Sequence, residues 1–206
     1  LTQCADCGTP VCAEKEVFEG EKMGRTHSLS ATHRLVWAAL MAALIAVGAY
    51  FQFPLGPVPF SMQPFFVFLA GFVLGPRLGA LSACLYLAAG LVGLPVFAGG
   101  AAGLGYALGP TGGFMPGFAA AAFLCGLSVK APGKGPSSWL SGMSYGIAGL
   151  ALMYAMGVAR LVMVVPSLSV AGGIAAMSGF AALDVVKLAG AVAAARLLAR
   201  SGVSPS

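Results

Sequence analysis

The chain has 206 residues, of which 59% are hydrophobic and 8% charged, against about 25% charged in an ordinary soluble domain. So few charges cannot solvate the surface of a soluble protein of this size, and lipid is the alternative solvent. The formal net charge of +5 would point to nucleic acid only if basic residues clustered on one polar face. Here they stand singly between apolar runs, which is a membrane topology signal.

Residues 1–33 form a polar tail unlike the rest. Five of the six acidic residues (Asp6, Glu14, Glu16, Glu19 and Glu21) and both histidines, His27 and His33, lie in it. Cys4, Cys7 and Cys12 have the spacing C-x2-C-x4-C, which could be part of a zinc site. A structural zinc wants four protein ligands, and only the distant His27 or His33 is on offer. The tail therefore reads as a disordered or artefactual segment, and no metal or cofactor is expected. Met23 is a candidate start, the Met23-Gly24 to Ser28 match to a myristoylation pattern is internal and reads as chance, and no signal peptide precedes the first apolar run. Cys84 and Cys125 fall inside apolar runs and read as packing residues.

A spanning helix needs about 17 to 25 apolar residues. Six segments meet or approach this, at residues 35–53, 61–75, 78–95, 113–129, 138–158 and 178–199. A seventh run, 161–177, contains Pro166 and Gly172-Gly173 and reads as a re-entrant or interfacial segment. The fold expected is all-α: a polytopic membrane domain of six transmembrane helices over residues 34–200, with a short tail at 201–206.

Positive residues favour the cytoplasmic side. With the N-terminus inside, the inner segments hold Lys15, Lys22, Arg25, Arg34, Arg77, Lys130, Lys134 and Arg200, and Arg196 lies at the inner end of the last helix. The outer loops, 54–60, 96–112 and 159–177, hold only Arg160. Both termini are thus expected in the cytoplasm.

Small residues let membrane helices approach closely. Gly71/Gly75/Gly79, Gly109/Gly113/Gly117 and Gly142/Gly146 recur at four-residue spacing and read as internal packing. Ala38, Ala42 and Ala46 share one face of the first helix. That face serves either the bundle itself or a partner helix.

Asp184 and Lys187 are the sharpest chemical signal. Asp184 is the one carboxylate side chain after residue 21, and the i, i+3 spacing puts it beside Lys187 on one helical face. Each charge at a membrane helix centre costs about 2.5 to 3.5 kcal/mol on insertion scales. A helix starting near 178 would place the pair about 9 to 14 Å below its outer end. One reading is an ion pair that only locks helices together, as in a membrane assembly protein. The other is a bipolar site, in which Asp184 accepts from ligand N–H groups and Lys187 attracts a ligand carboxylate.

Gly99, Gly100, Gly103, Gly105 and Tyr106, followed by Gly109-Pro110-Thr111-Gly112-Gly113, make a small-residue stretch between two spans. It lacks the flanking strand and βαβ unit of a nucleotide fingerprint and reads as a lid. Pro54, Pro57 and Pro59 enforce an extended connection, after which Phe60 and Gln63 enter the second helix. Tyr86 lies mid-span, where its hydroxyl needs a partner. No P-loop is present and no histidine lies in the spans, so no catalytic residue is assigned and an enzyme is not expected.

Five ordered motifs carry a family resemblance over residues 37–199. They are Val58-Pro59-Phe60-Ser61-Met62-Gln63, Leu74-Gly75-Pro76-Arg77-Leu78-Gly79-Ala80, Gly93-Leu94-Pro95-Val96-Phe97, Leu108-Gly109-Pro110-Thr111-Gly112-Gly113-Phe114 and Asp184-Val185-Val186-Lys187. Together they resemble the BioY proteins, the biotin-binding subunits (S components) of energy-coupling-factor importers. The resemblance implies six helices, outward-facing capture of biotin in an apolar cavity capped by loops, and residence in the cell membrane of a prokaryote. It implies a transmembrane coupling protein and two ABC-type ATPases as partners, in line with the missing P-loop. The Ala38/Ala42/Ala46 face is similar to the small-residue face such subunits turn to the coupling protein. On this reading the biotin ureido group meets Asp184, and Lys187 partners either Asp184 or the ligand carboxylate. Tyr86, Gln63, Phe60, Phe97, Gly99, Gly100 and Thr111 complete the candidate biotin site. The stretch Gly179–Leu183 lacks the proline-rich entry expected there. A capture subunit for a different small vitamin is the alternative.

Overall fold

A computed structural model describes residues 32–53, 60–130, 134–166 and 169–201. The tail residues Cys4, Cys7, Cys12, His27 and Met23 and the prolines at 54, 57 and 59 lie outside them.

Helix α1 spans Thr32–Tyr50. Two short antiparallel strands follow, β1 (Gln52–Phe53) and β2 (Phe60–Ser61), with Gln52 opposite Ser61 and Phe53 opposite Phe60. Then come α2 (Gln63–Val92), a 3-10 turn at Ala98–Gly100, and α3 (Gly103–Leu108). The long helices α4 (Phe114–Leu127), α5 (Trp139–Val164) and α6 (Val170–Arg200) complete the chain. Among the described helices, α1, α2 and α5 are each long and apolar enough to cross a membrane.

Helix α2 is not straight. Gly75 has φ +80° and ψ −178°, a conformation open to glycine and strained for any residue with a Cβ. Pro76 follows, and it has no N–H to continue the ladder. The chain folds back there, because the side chains of Gln63 and Tyr86 are hydrogen-bonded. Those residues are 23 apart and would stand about 34 Å apart along a straight helix. The two arms, 63–74 and 76–92, match the second and third segments expected from the sequence. Their corner is held by α4, where a side chain at Gly126 would strike the Gly75–Pro76 backbone.

Glycine contacts set the other helix distances. Gly71 lies on Ala122 and Cys125 of α4, Gly79 on Gly71 across the fold of α2, and Gly117 on Met153 of α5. Gly142 and Gly146 of α5 take Val192 and Leu188 of α6. On α1, Ala38, Met41, Ile45 and Ala49 are buried, and Ala42 and Ala46 are partly buried against the core. The alanine stripe thus faces the bundle, while Leu35, Val36, Leu40 and Val47 are exposed.

One expectation is corrected. Residues 161–177 form no separate re-entrant segment: Leu161–Val164 complete α5, and Val170–Met177 begin α6. Pro166 falls in the connector, where no N–H is required, and Ser169 caps α6 by accepting from the Gly172 amide. With a capped start, Gly172-Gly173 continues the helix. Asp184 and Lys187 therefore lie about 21 and 26 Å along a 31-residue helix of about 46 Å, near its middle rather than one or two turns in.

Candidate ligand-binding site

Asp184 is buried, with 3% of its surface exposed. A lone carboxylate could not persist in such surroundings, and both its oxygens are engaged. Lys187 Nζ lies 2.7 Å from Oδ1, and the Tyr154 hydroxyl donates to Oδ2 at 2.8 Å. Nζ also donates to the Ser61 carbonyl at 2.6 Å and sits 3.5 Å from the centre of the Phe60 ring. Helix α6 is thereby joined to β2 and α5 through one charge pair. A carboxylate offers about four lone-pair sites, so Asp184 keeps acceptor capacity for a ligand. The three donors of Lys187 are mostly spent on the protein.

A second polar group stands on α2. Ser61 Oγ donates to Gln63 Oε1 at 3.1 Å, and Gln63 Nε2 donates to the Tyr86 hydroxyl. Tyr86 acts as acceptor there, which leaves its own proton to give. A third group comes from the 93–113 connection. It brings Tyr106 of α3 and Thr111 together, and burial raises the Tyr106 phenol above its ordinary value, so it is an uncharged donor at neutral pH.

These groups surround a narrow cavity of about 70 Å³, well under the roughly 300 to 1,000 Å³ of an open small-molecule site. Phe60, Gln63, Tyr86, Thr111, Asp184 and Lys187 all line it. The apolar wall is Phe114, Met115, Phe118, Met153, Met177 and Phe180, with Phe180 stacked on Phe60 at 5.9 Å. Aromatic and thioether surfaces of this kind suit a flat, partly apolar ligand.

Three of the residues singled out from sequence are elsewhere. Phe97 is fully buried behind the lining, where its ring fills the space a side chain at Gly90 would occupy. It packs on Tyr86 edge-to-face and on Tyr106 face-to-face. Gly99 faces Gln52 and Gly100 has nothing close, while Ala98 beside them reaches the lining. The connection turns on these glycines at φ +72° and +77°.

Tyr154 is the main residue missed. It sits 30 positions before Asp184, and an aromatic in an apolar helix gives no sequence signal of a carboxylate partner. Its ring also meets Phe114 edge-to-face at 5.7 Å. Tyr106 lies in the small-residue stretch between two spans, and its hydroxyl is the one sequence clue to its place in the site.

Comparison with known proteins gives a consistent picture. The sequence pattern of the BioY family matches residues 21–203. A protein of Thermotoga maritima named "Biotin transporter BioY" is 45% identical over 125 residues, 61% of this chain and 72% of that protein. One of Pyrococcus horikoshii, "Probable biotin transporter BioY", is 44% identical over 119 residues, 58% of this chain and 68% of that protein. A solved structure titled as the S-component for biotin from an ECF-type ABC transporter is similar with a TM-score of 0.74 and 26% identity, over 84% of this chain and 93% of that one.

Proposed function

The chain belongs to the BioY family, and from that premise we propose that it is the biotin-binding S component of an ECF-type importer. It is a helical membrane protein that captures solute and catalyses no reaction. The observation that carries the reading is the buried Asp184–Lys187 pair, braced by Tyr154, beside an aromatic-lined cavity. An ion pair serving only as an internal lock needs no such space next to it.

In this reading the ureido N–H groups of biotin donate to the free lone pairs of Asp184, and its bicycle lies among Phe60, Phe180 and Phe114. Lys187 holds the Asp184 carboxyl aimed. The hydroxyls of Tyr86, Tyr106 and Thr111 meet the remaining polar atoms of the ligand. The connection from Pro95 to Gly113 acts as the lid. Biotin enters from the side opposite both termini, which are cytoplasmic, across the cell membrane of a prokaryote. Energy comes from a separate coupling protein and two ABC-type ATPases. The exposed face of α1 beside the alanine stripe is the proposed contact with the coupling protein.

Titration of biotin into the detergent-solubilised protein tests this. Saturable binding without ATP is expected, and Asp184→Ala should abolish it. Equal affinity of the two proteins would remove the proposed site. A vitamin panel read by thermal shift would reveal a different cargo if biotin gave no stabilisation.

A further inference from the structure

Arg160 is the one basic residue in the segments assigned to the outer side, residues 54–60, 96–112 and 159–177. The charge rule that organises the other basic residues does not account for it. The structure gives it a partner: its Nη2 donates to the Leu108 carbonyl at 2.6 Å, 52 residues away. Leu108 is the last residue of α3, and terminal carbonyls of a helix have no partner of their own within it. A bond from a guanidinium is charge-assisted and stronger than one between neutral groups.

Helix α3 forms one wall of the cavity through Tyr106, while Leu104 and Leu108 point outward and are exposed. On its N-terminal side the chain passes Gly99, Gly100 and Gly103, all at positive φ, a stretch with few side chains to hold it. On its C-terminal side Gly113 packs directly on the Arg160 Cβ and the Met156 carbonyl, so the base of the turn is fixed to α5. Among the described residues, the helix between these ends has one side-chain bond to the bundle from a charged group.

We propose that Arg160 is the latch of the lid: its bond to the Leu108 carbonyl holds α3 over the cavity and sets how fast ligand escapes. Arg160 is a positioning residue and does not touch the ligand. Its role as a gate rests on the biotin site proposed above; its hold on α3 does not.

The full chain in lipid nanodiscs, as wild type, Arg160→Leu and Arg160→Lys, provides the test. Amide hydrogen exchange of residues 104–108 is followed without ligand, and dissociation of labelled biotin is followed separately. Loss of one hydrogen bond should speed α3 exchange and biotin release in Arg160→Leu by about tenfold each. Association should quicken as well, so the equilibrium affinity changes less than the off-rate. Arg160→Lys should fall between, and it stands in if the leucine variant does not fold. Unchanged exchange in α3 overturns the latch. Faster exchange with an off-rate within about twofold of wild type, less than one such bond would cause, overturns the gate. A wild type that binds no biotin removes the ligand reading and the gate with it, and exchange alone then decides whether Arg160 holds α3.

Discussion

The two ends of the α5–α6 pair are built on opposite plans. Toward the chain's C-terminus, Gly142 and Gly146 take Val192 and Leu188 against bare backbone, and nothing fits between the helices. Toward their connector, Tyr154 and Met153 face Met177, Phe180 and Asp184, and the helices stand off around the cavity. On the other side of the same divergence lies an apolar groove lined by Ala155, Val158, Ile174 and Ala181. Tyr154 and Met177 line both spaces and form the partition between them. One pair of helices can thus be clamped at one end and hold a site at the other, because residue size alone sets how close the backbones come.

That contrast can be broken most sharply at the charge pair. Asp184→Ala leaves Lys187 as a buried unpaired cation, so a stability loss of about 3 to 5 kcal/mol is expected alongside loss of binding. The double variant Asp184→Ala/Lys187→Met should regain most of that stability, since removing both charges is close to neutral, and still bind no biotin. Thermal unfolding with and without ligand reads both quantities; binding by the double variant would show the pair to be structural only.

At the clamped end, Gly146→Val inserts a side chain where Leu188 already lies, and overpacking of this kind costs about 1 to 3 kcal/mol. The melting temperature should fall without a change in which ligands bind. A variant as stable as wild type would mean that the helices are not held by contact there.

Tyr154→Phe keeps the ring on Phe114 and removes only the bond to Asp184. A bond to a charged group contributes about 1.5 to 3 kcal/mol, so biotin affinity measured by titration should weaken by roughly 10- to 150-fold. Unchanged affinity would show that Lys187 alone orients the carboxylate. The smallest effect is expected in the groove, where Ala181→Leu adds apolar surface at a half-buried position on the groove wall and should alter stability by less than about 0.5 kcal/mol. A large loss of binding there would mean the partition transmits strain into the cavity.

Much of this was legible in the sequence for identifiable reasons. Apolar runs of spanning length, the isolated Asp184 and Lys187 and the glycine spacings are local patterns, each with a physical cost or a distance attached. Tyr86 could be named because a hydroxyl in an apolar run needs a partner, and Gln63, Phe60 and Thr111 because they stand in or beside the motifs that carry the family resemblance. That Phe97 packs behind the lining was not legible, because a bulky residue beside a glycine stretch reads equally as lining or as filler, and the notch at Gly90 lies in another element. The boundary near 161–177 was misread because Pro166 and two glycines look like breakers until Ser169 is seen to cap the helix that contains them.

By itself the sequence determined the solvent, the helical class and the charge pair, since each follows from composition or from spacing within one element, and the family through the resemblance carried by five ordered motifs. Only the tertiary structure decided that α2 folds back at Gly75, that Tyr154 braces Asp184 and that Arg160 reaches the end of α3. Those facts depend on contacts between residues far apart in the chain, and a side chain's partner across space leaves no mark on its neighbours in sequence.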